Sequence, residues 1–255
     1  MENLKKEGDL KTFDPNSYMH NYVVSEEAAN NLKPEIEILH RLFNSHKLSG
    51  KRLLDVGTGP TVHTLITACN HVDEIYLSEF LPQNLQYLEN WRNGEENQCT
   101  SLIDYAMELE GRTKTVSQRM SDLRCKVKGI LPVDVTSSKP IGDAFGDEKL
   151  DIIVSSYCIE TAVFTVEGYG KCIENISTLL NKDGFLILFA CLNGDTYQVG
   201  ECKYKAVCLT KDDILSCLRK AGFVVIATEE LAETDYDSKY LTFDSYYYIL
   251  ARKLM

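Results

Sequence analysis

Basic residues are scarce in this chain. Its 255 residues carry 27 Lys and Arg against 38 Asp and Glu, a formal net charge of −11, with an isoelectric point near 5.0. No Lys/Arg cluster offsets the acidity locally. A protein that grips a phosphate backbone needs a basic face, so nucleic acid is excluded as a partner. Long apolar runs are missing too. The longest, 185–192, falls far short of a membrane span, and residues 1–14 are polar. A cytoplasmic protein with no membrane partner is expected. The nine cysteines include no C-x-x-C pair, and an odd number does not suit a disulfide framework. Cys69, Cys158, Cys172, Cys191 and Cys217 lie in apolar patterns and read as reduced core thiols. His71 follows Cys69 without a second ligand pair at metal spacing, so no metal is expected.

What is present is an alternation of strand and helix patterns. Strands are predicted at 52–56, 74–78, 127–133, 150–155, 184–191, 223–230 and 245–252, and helices at 61–69, 82–92, 166–180 and 210–221. Val166, Tyr169, Ile173, Ile176 and Leu180 recur at spacings of three and four, and Lys182-Asp183-Gly184 then supplies a stop. Such alternation implies a doubly wound, mostly parallel α/β sheet. The length suits a single domain, 1–255. Two segments stand outside the rhythm. Residues 1–46 carry their own helix, with Leu32, Ile36, Leu39 and Phe43 on one face, and read as an N-terminal helical lid. Residues 93–126 read as a helical insertion. Ligands of open α/β sheets lie beyond the carboxyl ends of the strands, where such insertions can form a roof.

The most informative stretch is 53–61, Leu-Leu-Asp-Val-Gly-Thr-Gly-Pro-Thr, in which an apolar run ends in a G-x-G turn. A helical pattern follows, and a second apolar run, 75–78, closes on Glu79. A strand, a Gly turn, a helix and a second strand ending in a carboxylate build a nucleoside pocket. Gly57 and Gly59 let backbone approach a ligand, and Glu79 can accept hydrogen bonds from both ribose hydroxyls. The plain alternative is a helix-capping turn beside an unrelated surface Glu. A dinucleotide fingerprint needs glycine where Val62 stands, so a pyrophosphate loses its seat and NAD or FAD is disfavoured. S-adenosylmethionine, a nucleoside without phosphates, fits what remains. Its carboxylate would lie near the N-terminus of the helix starting around Thr61.

Several motifs run nearly from end to end: Phe-Asp-Pro-Asn-Ser-Tyr at 13–18, Leu-Asp-Val-Gly-Thr-Gly-Pro-Thr at 54–61, Glu79-Phe80 with Gln83-Asn84-Leu85, Asp134-Val135-Thr136, Ser-Ser-Tyr-Cys-Ile-Glu at 155–160, and Leu-Ala-Arg-Lys at 250–253. On these the chain resembles the nicotinamide/phenylethanolamine/indolethylamine N-methyltransferase family. The resemblance implies a Rossmann-like, seven-stranded class I methyltransferase sheet whose last strand runs antiparallel. It also implies methyl transfer from S-adenosyl-L-methionine to nitrogen, leaving S-adenosyl-L-homocysteine. It assigns Gly57, Thr58, Gly59 and Thr61 to the loop around the methionine part, with His63 reaching the cofactor carboxylate; an exposed helix histidine is the ordinary alternative. Glu79 would hold the ribose, Asn84 the polar end of the cofactor, and Asp134 and Val135 the adenine, with Ser156 facing the cofactor. Tyr18 matches the lid tyrosine, whose ring face attracts a sulfonium, and so joins the catalytic candidates. Tyr22 fits a second aromatic position, or else packs its own helix.

The same resemblance bears on the acceptor. In nicotinamide-methylating relatives an Asp and a Ser hold the carboxamide, and the corresponding positions here are Ala190 and Ala206. Glu160 stands where phenylethanolamine-type relatives carry a carboxylate for the substrate amine, with helix capping as its plain alternative. Asp195 and Asp244 are further acidic candidates, and Tyr157 and Tyr197 are candidates for aromatic walls or hydroxyl donors. The expected protein is a monomeric N-methyltransferase of a small-molecule amine, with Glu160 recruiting the ammonium and taking its proton. Two alternatives stay open: methylation of a pyridine such as nicotinamide or of another small nucleophile, and a catalytically silent cofactor-binding homologue.

Overall fold

The computed structural model describes residues 6–7, 10–95 and 99–254. Its strands are β1 (Lys6–Glu7), β2 (Gly50–Val56), β3 (Val72–Glu79), β4 (Val127–Pro132), β5 (Leu150–Ser156), β6 (Leu180–Leu192), β7 (Thr196–Val199), β8 (Cys202–Lys205), β9 (Phe223–Ala232), β10 (Leu241–Thr242) and β11 (Ser245–Lys253). Its α-helices are α1 (Pro15–Met19), α2 (Glu26–Ser45), α3 (Leu65–Ala68), α4 (Pro82–Asn93), α5 (Thr100–Leu109), α6 (Val116–Lys126), α7 (Ile159–Ala162), α8 (Val166–Ser177) and α9 (Lys211–Lys220). A π-helical turn, His20–Val24, joins α1 to α2.

Seven strands form the main sheet in the order β4-β3-β2-β5-β6-β11-β9. The pairs from β4 to β6 are parallel, and β11 runs antiparallel to both of its neighbours. Central strands must be apolar on both faces because helices cover both, and Leu53, Leu54, Ile152 and Ile153 are fully buried. Edge strand β9 instead alternates half-buried and exposed positions after Phe223, and its Glu229 and Glu230 discourage pairing with another chain. Strand order reverses between β2 and β5. In an open sheet the crevice at that reversal is where ligands bind.

All seven strands predicted for the main sheet are present, and the differences have local causes. The helix predicted over 61–69 shrinks to α3. Thr64 gives its hydroxyl to Asp55 Oδ2 at 2.7 Å, and Leu65 N and Ile66 N bond three residues back, to Val62 O and His63 O. Residues 61–64 are therefore a tight turn. The helix predicted to reach 180 stops at Ser177, because Leu180 already pairs with Leu150. A second, four-stranded sheet, β1-β8-β7-β10, was not expected from the pattern. Its strands are two to four residues long, and it has a small core of its own in Phe13, Val199 and Tyr204.

The N-terminal segment is tied into one face of the main sheet. Ile36, Leu39 and Phe43 of α2 share a core cluster with Leu53, Ile75 and Ile152 of the strands. Leu102 and Ile103 of α5 and Met120 and Leu123 of α6 join the same cluster. Phe43→Ala should therefore cost about 3–5 kcal/mol, with one coincident urea transition by fluorescence and circular dichroism. Two separate transitions would show that residues before β2 fold on their own.

Candidate active site

A cavity of about 470 Å³ opens at the crevice, reached by Gly57 after β2, Glu79 of β3, Ser156 of β5 and Cys191 of β6. Tyr18, Tyr22 and Val23 close it from the N-terminal segment, and Thr196, Tyr197 and Leu241 from the small sheet. Residues 93–126 contribute nothing to its wall among the described residues.

Backbone hydrogen bonds fix the glycine loop. Gly57 N and Thr58 N both donate to Ser78 O at 2.9 Å. Thr58 Oγ1 donates to Asp55 O, and Ser78 N donates to Thr58 Oγ1. Glu79 then closes the loop: its carboxylate accepts from Gly59 N, Phe80 N and Leu81 N, each at 2.8 Å. Burial raises the pKa of Glu79, and those three backbone bonds oppose the rise. Gly57 has φ +72°, and a Cβ there would fall 2.0 Å from Cys158 Sγ. Gly59 has φ +65° and faces open space, where a ligand needs room.

Most of the expected cofactor residues meet on this wall: Tyr18, Tyr22, Gly57, Gly59, His63, Glu79, Asn84, Asp134, Val135 and Ser156. Thr58 and Thr61 do not line it, because their hydroxyls are turned into the loop. Thr61 Oγ1 lies 3.1 Å from His63 Nδ1 and 3.5 Å from Cys99 Sγ. His63 departs from expectation as well. It is a buried residue of a turn rather than of a first helical turn, and its Nε2 bonds Glu35 Oε1 at 2.9 Å. With both ring nitrogens engaged inside the protein, it is not poised for a cofactor carboxylate.

On the acceptor side Tyr157, Glu160, Tyr197 and Ala206 line the cavity. Glu160 is 3% exposed. Its Oε1 accepts from Cys191 N at 3.3 Å, and burial pushes its pKa up to about 7. Ala190 does not line the cavity. It packs into the core cluster on the other face, opposite Tyr247. Successive strand residues face opposite ways, so its neighbour Cys191 holds the wall position. Asp195 and Asp244 also lie off the wall, bonded to Thr242 Oγ1 and Asn193 Nδ2 respectively. Cys158 and Cys191, expected in the core, stand on the wall.

Three buried polar atoms lack a hydrogen-bond partner among the described residues and belong to this cavity: Asn84 Oδ1, Ser156 Oγ and Glu160 Oε2. Leaving one such group unmet costs about 1–3 kcal/mol, so the wall is arranged for a polar occupant. Sequence reasoning missed Glu35, Asp237, Tyr246 and Tyr248, which also line it. Glu35 had a signal, being a charge inside the apolar stripe of Leu32, Ile36 and Leu39. Asp237 opens a three-residue 3-10 helix, Asp237–Lys239, too short to leave a pattern, and had none.

The sequence profile of the NNMT/PNMT/TEMT family matches residues 2–254. The chain belongs to that family. It is 29% identical to the nicotinamide N-methyltransferase of Sus scrofa over 255 residues, 98% of this chain and 96% of that protein. It is 28% identical to the indolethylamine N-methyltransferase of Mus musculus over 95% of this chain and 94% of that protein. For the phenylethanolamine N-methyltransferase of Macaca mulatta the figures are 28%, 84% and 78%. Among solved structures, a SAM-dependent methyltransferase from Methanosarcina mazei superposes with a TM-score of 0.59 at 14% identity, covering 84% of this chain and 97% of that one. The magnesium protoporphyrin IX methyltransferase from Synechocystis, with bound SAM, gives a TM-score of 0.58 at 13% identity, covering 93% and 90%. The fold is that of the class I SAM-dependent methyltransferases.

Two measurements check the site's physics. Gly57→Ala should destabilise more than Gly59→Ala in urea titrations. Both incur a left-handed penalty of about 1–2 kcal/mol, and only Gly57→Ala adds a collision of about 1–3 kcal/mol. Equal losses would contradict the contact with Cys158. The second measurement concerns pH. Burial lifts Asp55 and Glu160 to about 7 from ordinary values of 3.8 and 4.5. Their folded-state values exceed the unfolded ones, so the stability they lend is full below the unfolded values and is lost as pH rises through about 7. Glu160→Gln should therefore gain stability relative to wild type between about pH 5 and pH 8, by on the order of 3 kcal/mol. A pH-independent difference would contradict the burial of that charge.

Proposed function

We propose that this protein is an S-adenosylmethionine-dependent N-methyltransferase acting on a small-molecule amine. The observation that carries the reading is the single cavity that joins a glycine loop closed by Glu79 to the buried, half-satisfied carboxyl of Glu160. The residues present suit the cofactor. Gly59 leaves open space, Glu79 keeps acceptor capacity for a ribose beyond its backbone bonds, and Asn84 Oδ1 and Ser156 Oγ await donors. Asp134 and Val135 at the edge of the cavity suit adenine, and the Tyr18 ring suits a sulfonium. When bound, S-adenosylmethionine supplies a methyl group on a positive sulfur, open to attack by a nitrogen lone pair.

The chain's own contribution is to orient the amine and remove its proton. An amine like that of Lys has a pKa of about 10.4, so its proton reaches an ordinary carboxylate only at a cost of about 8 kcal/mol. With Glu160 lifted to about 7, that cost falls to about 5 kcal/mol. The charged form of Glu160 recruits the ammonium, and the same carboxylate then accepts its proton at Oε2. Tyr18, Tyr22 and Tyr197 give the site an aromatic wall. Ala206 on the wall and Ala190 behind it offer no side-chain hydrogen bond to a carboxamide, which supports an amine over nicotinamide. The acidic balance supports a monomer acting in the cytoplasm, away from nucleic acid and anionic lipid; among the described residues no helix is long and apolar enough to cross a membrane.

The test is an acceptor screen followed by S-adenosylhomocysteine release at several pH values. Amines should turn over, with kcat/KM falling below about pH 7 as Glu160 protonates. Glu160→Gln should remove that acidic limb and lower kcat/KM by roughly 10²–10⁴-fold. Glu79→Ala should abolish cofactor binding in a calorimeter whatever the acceptor. Pyridine turnover with no acidic limb would replace the amine reading, and cofactor binding without turnover on any acceptor would leave a silent homologue.

A further inference from the structure

The cavity has a charge imbalance that cofactor binding and Glu160 do not account for. Glu35, Glu79, Asp134, Glu160 and Asp237 line it, and no Lys or Arg does among the described residues. The imidazole of His63 is held by Glu35. Glu35 and Asp237 are 2% and 3% exposed, and each backs a tyrosine. Tyr157 donates its hydroxyl to Glu35 Oε2 at 3.0 Å, and Tyr246 donates to Asp237 Oδ1 at 2.6 Å. Asp237 is pinned further by Asn31 Nδ2 and by the backbone and hydroxyl of Thr234. The two rings lie 5.4 Å apart, and Tyr248 continues the row 6.3 Å beyond Tyr246. All three line the cavity.

A phenol that donates to a carboxylate has a more electron-rich ring, and electron-rich ring faces attract organic cations. The carboxylates behind the rings are already hydrogen-bonded, so they add negative potential without demanding a donor from the ligand. Elsewhere on the same wall Glu160 is buried as deeply, and its Oε2 stays unpartnered among the described residues. The cavity thus offers two separate sites for positive charge.

We infer that the wall of Tyr157, Tyr246 and Tyr248 is a cation subsite, and that the acceptor carries an alkylated or protonated ammonium in addition to the nitrogen that is methylated. The inference rests on the proposed function for the second nitrogen alone. The rigid row of rings selects charge and bulk, whereas Glu160 handles the proton.

The experiment compares two short primary amines of equal length, one ending in a trimethylammonium group and the other in its neutral isostere, a tert-butyl group. Binding is measured by calorimetry with and without S-adenosylhomocysteine, and turnover with S-adenosylmethionine. The charged amine should bind at least about tenfold more tightly, and the gain in kcat/KM should come through KM. Tyr246→Leu should erase the preference, while Tyr246→Phe, which keeps the ring but loses the bond to Asp237, should retain only part of it, and both leave S-adenosylhomocysteine affinity unchanged. Equal affinity of the two amines for the wild-type protein would overturn the subsite, even if Tyr246→Leu failed to fold. A chain that prefers the charged amine but binds no S-adenosylhomocysteine would keep the subsite and refute the function proposed above.

Discussion

Three backbone N–H groups converge on one buried carboxylate, and the rest of the site depends on it. By accepting from Gly59, Phe80 and Leu81, Glu79 ties the turn after β2 to the corner between β3 and α4. Neither turn belongs to a regular ladder, and each would otherwise leave donors buried without partners. The glycine loop therefore holds its shape before any ligand arrives. The stitching extends backwards through Thr58, Ser78 and Asp55, all inside the fold. What remains facing the crevice is open space beside Gly59 and the unmet atoms of Asn84 and Ser156.

The same constraint explains the chemistry at the other end of the cavity. A carboxyl group taken out of water resists charging, and Glu160 is buried with only the Cys191 N–H and its own backbone to offset this. A surface glutamate is fully charged at neutral pH; this one resists charging until about pH 7. Burying it costs stability near neutral pH, and the large apolar core on both faces of the sheet offsets that cost. Because α2 is part of that core, the segment that closes the cavity is held by the same packing that stabilises the sheet.

Much of the fold could be read from the sequence because parallel strands covered on both faces must be apolar runs, and the helices between them must be amphipathic. Elements that rely on long-range partners could not be read. The π-helical turn at His20–Val24 and the two-residue strands β1 and β10 have no period long enough to register. The helix after the glycine loop is shorter than its apolar pattern because Thr64 spends its hydroxyl on Asp55 rather than on a helix cap. In the site, residues fixed by local motifs, such as Gly57, Glu79 and Asp134, came together on one wall. Ala190 did not, since a shift of one residue along a strand exchanges its two faces. The pairing of His63 with Glu35 spans 28 positions in the chain. Nothing near either residue announces the other.

The most direct measurement is an amide spectrum of the uniformly labelled protein titrated with S-adenosylhomocysteine. Saturable shifts are expected at Gly57, Gly59, Phe80, Leu81 and Ser156, with little change at Gly222 in the turn after α9. An unchanged spectrum at saturating ligand would contradict the claim that this crevice holds the methyl donor.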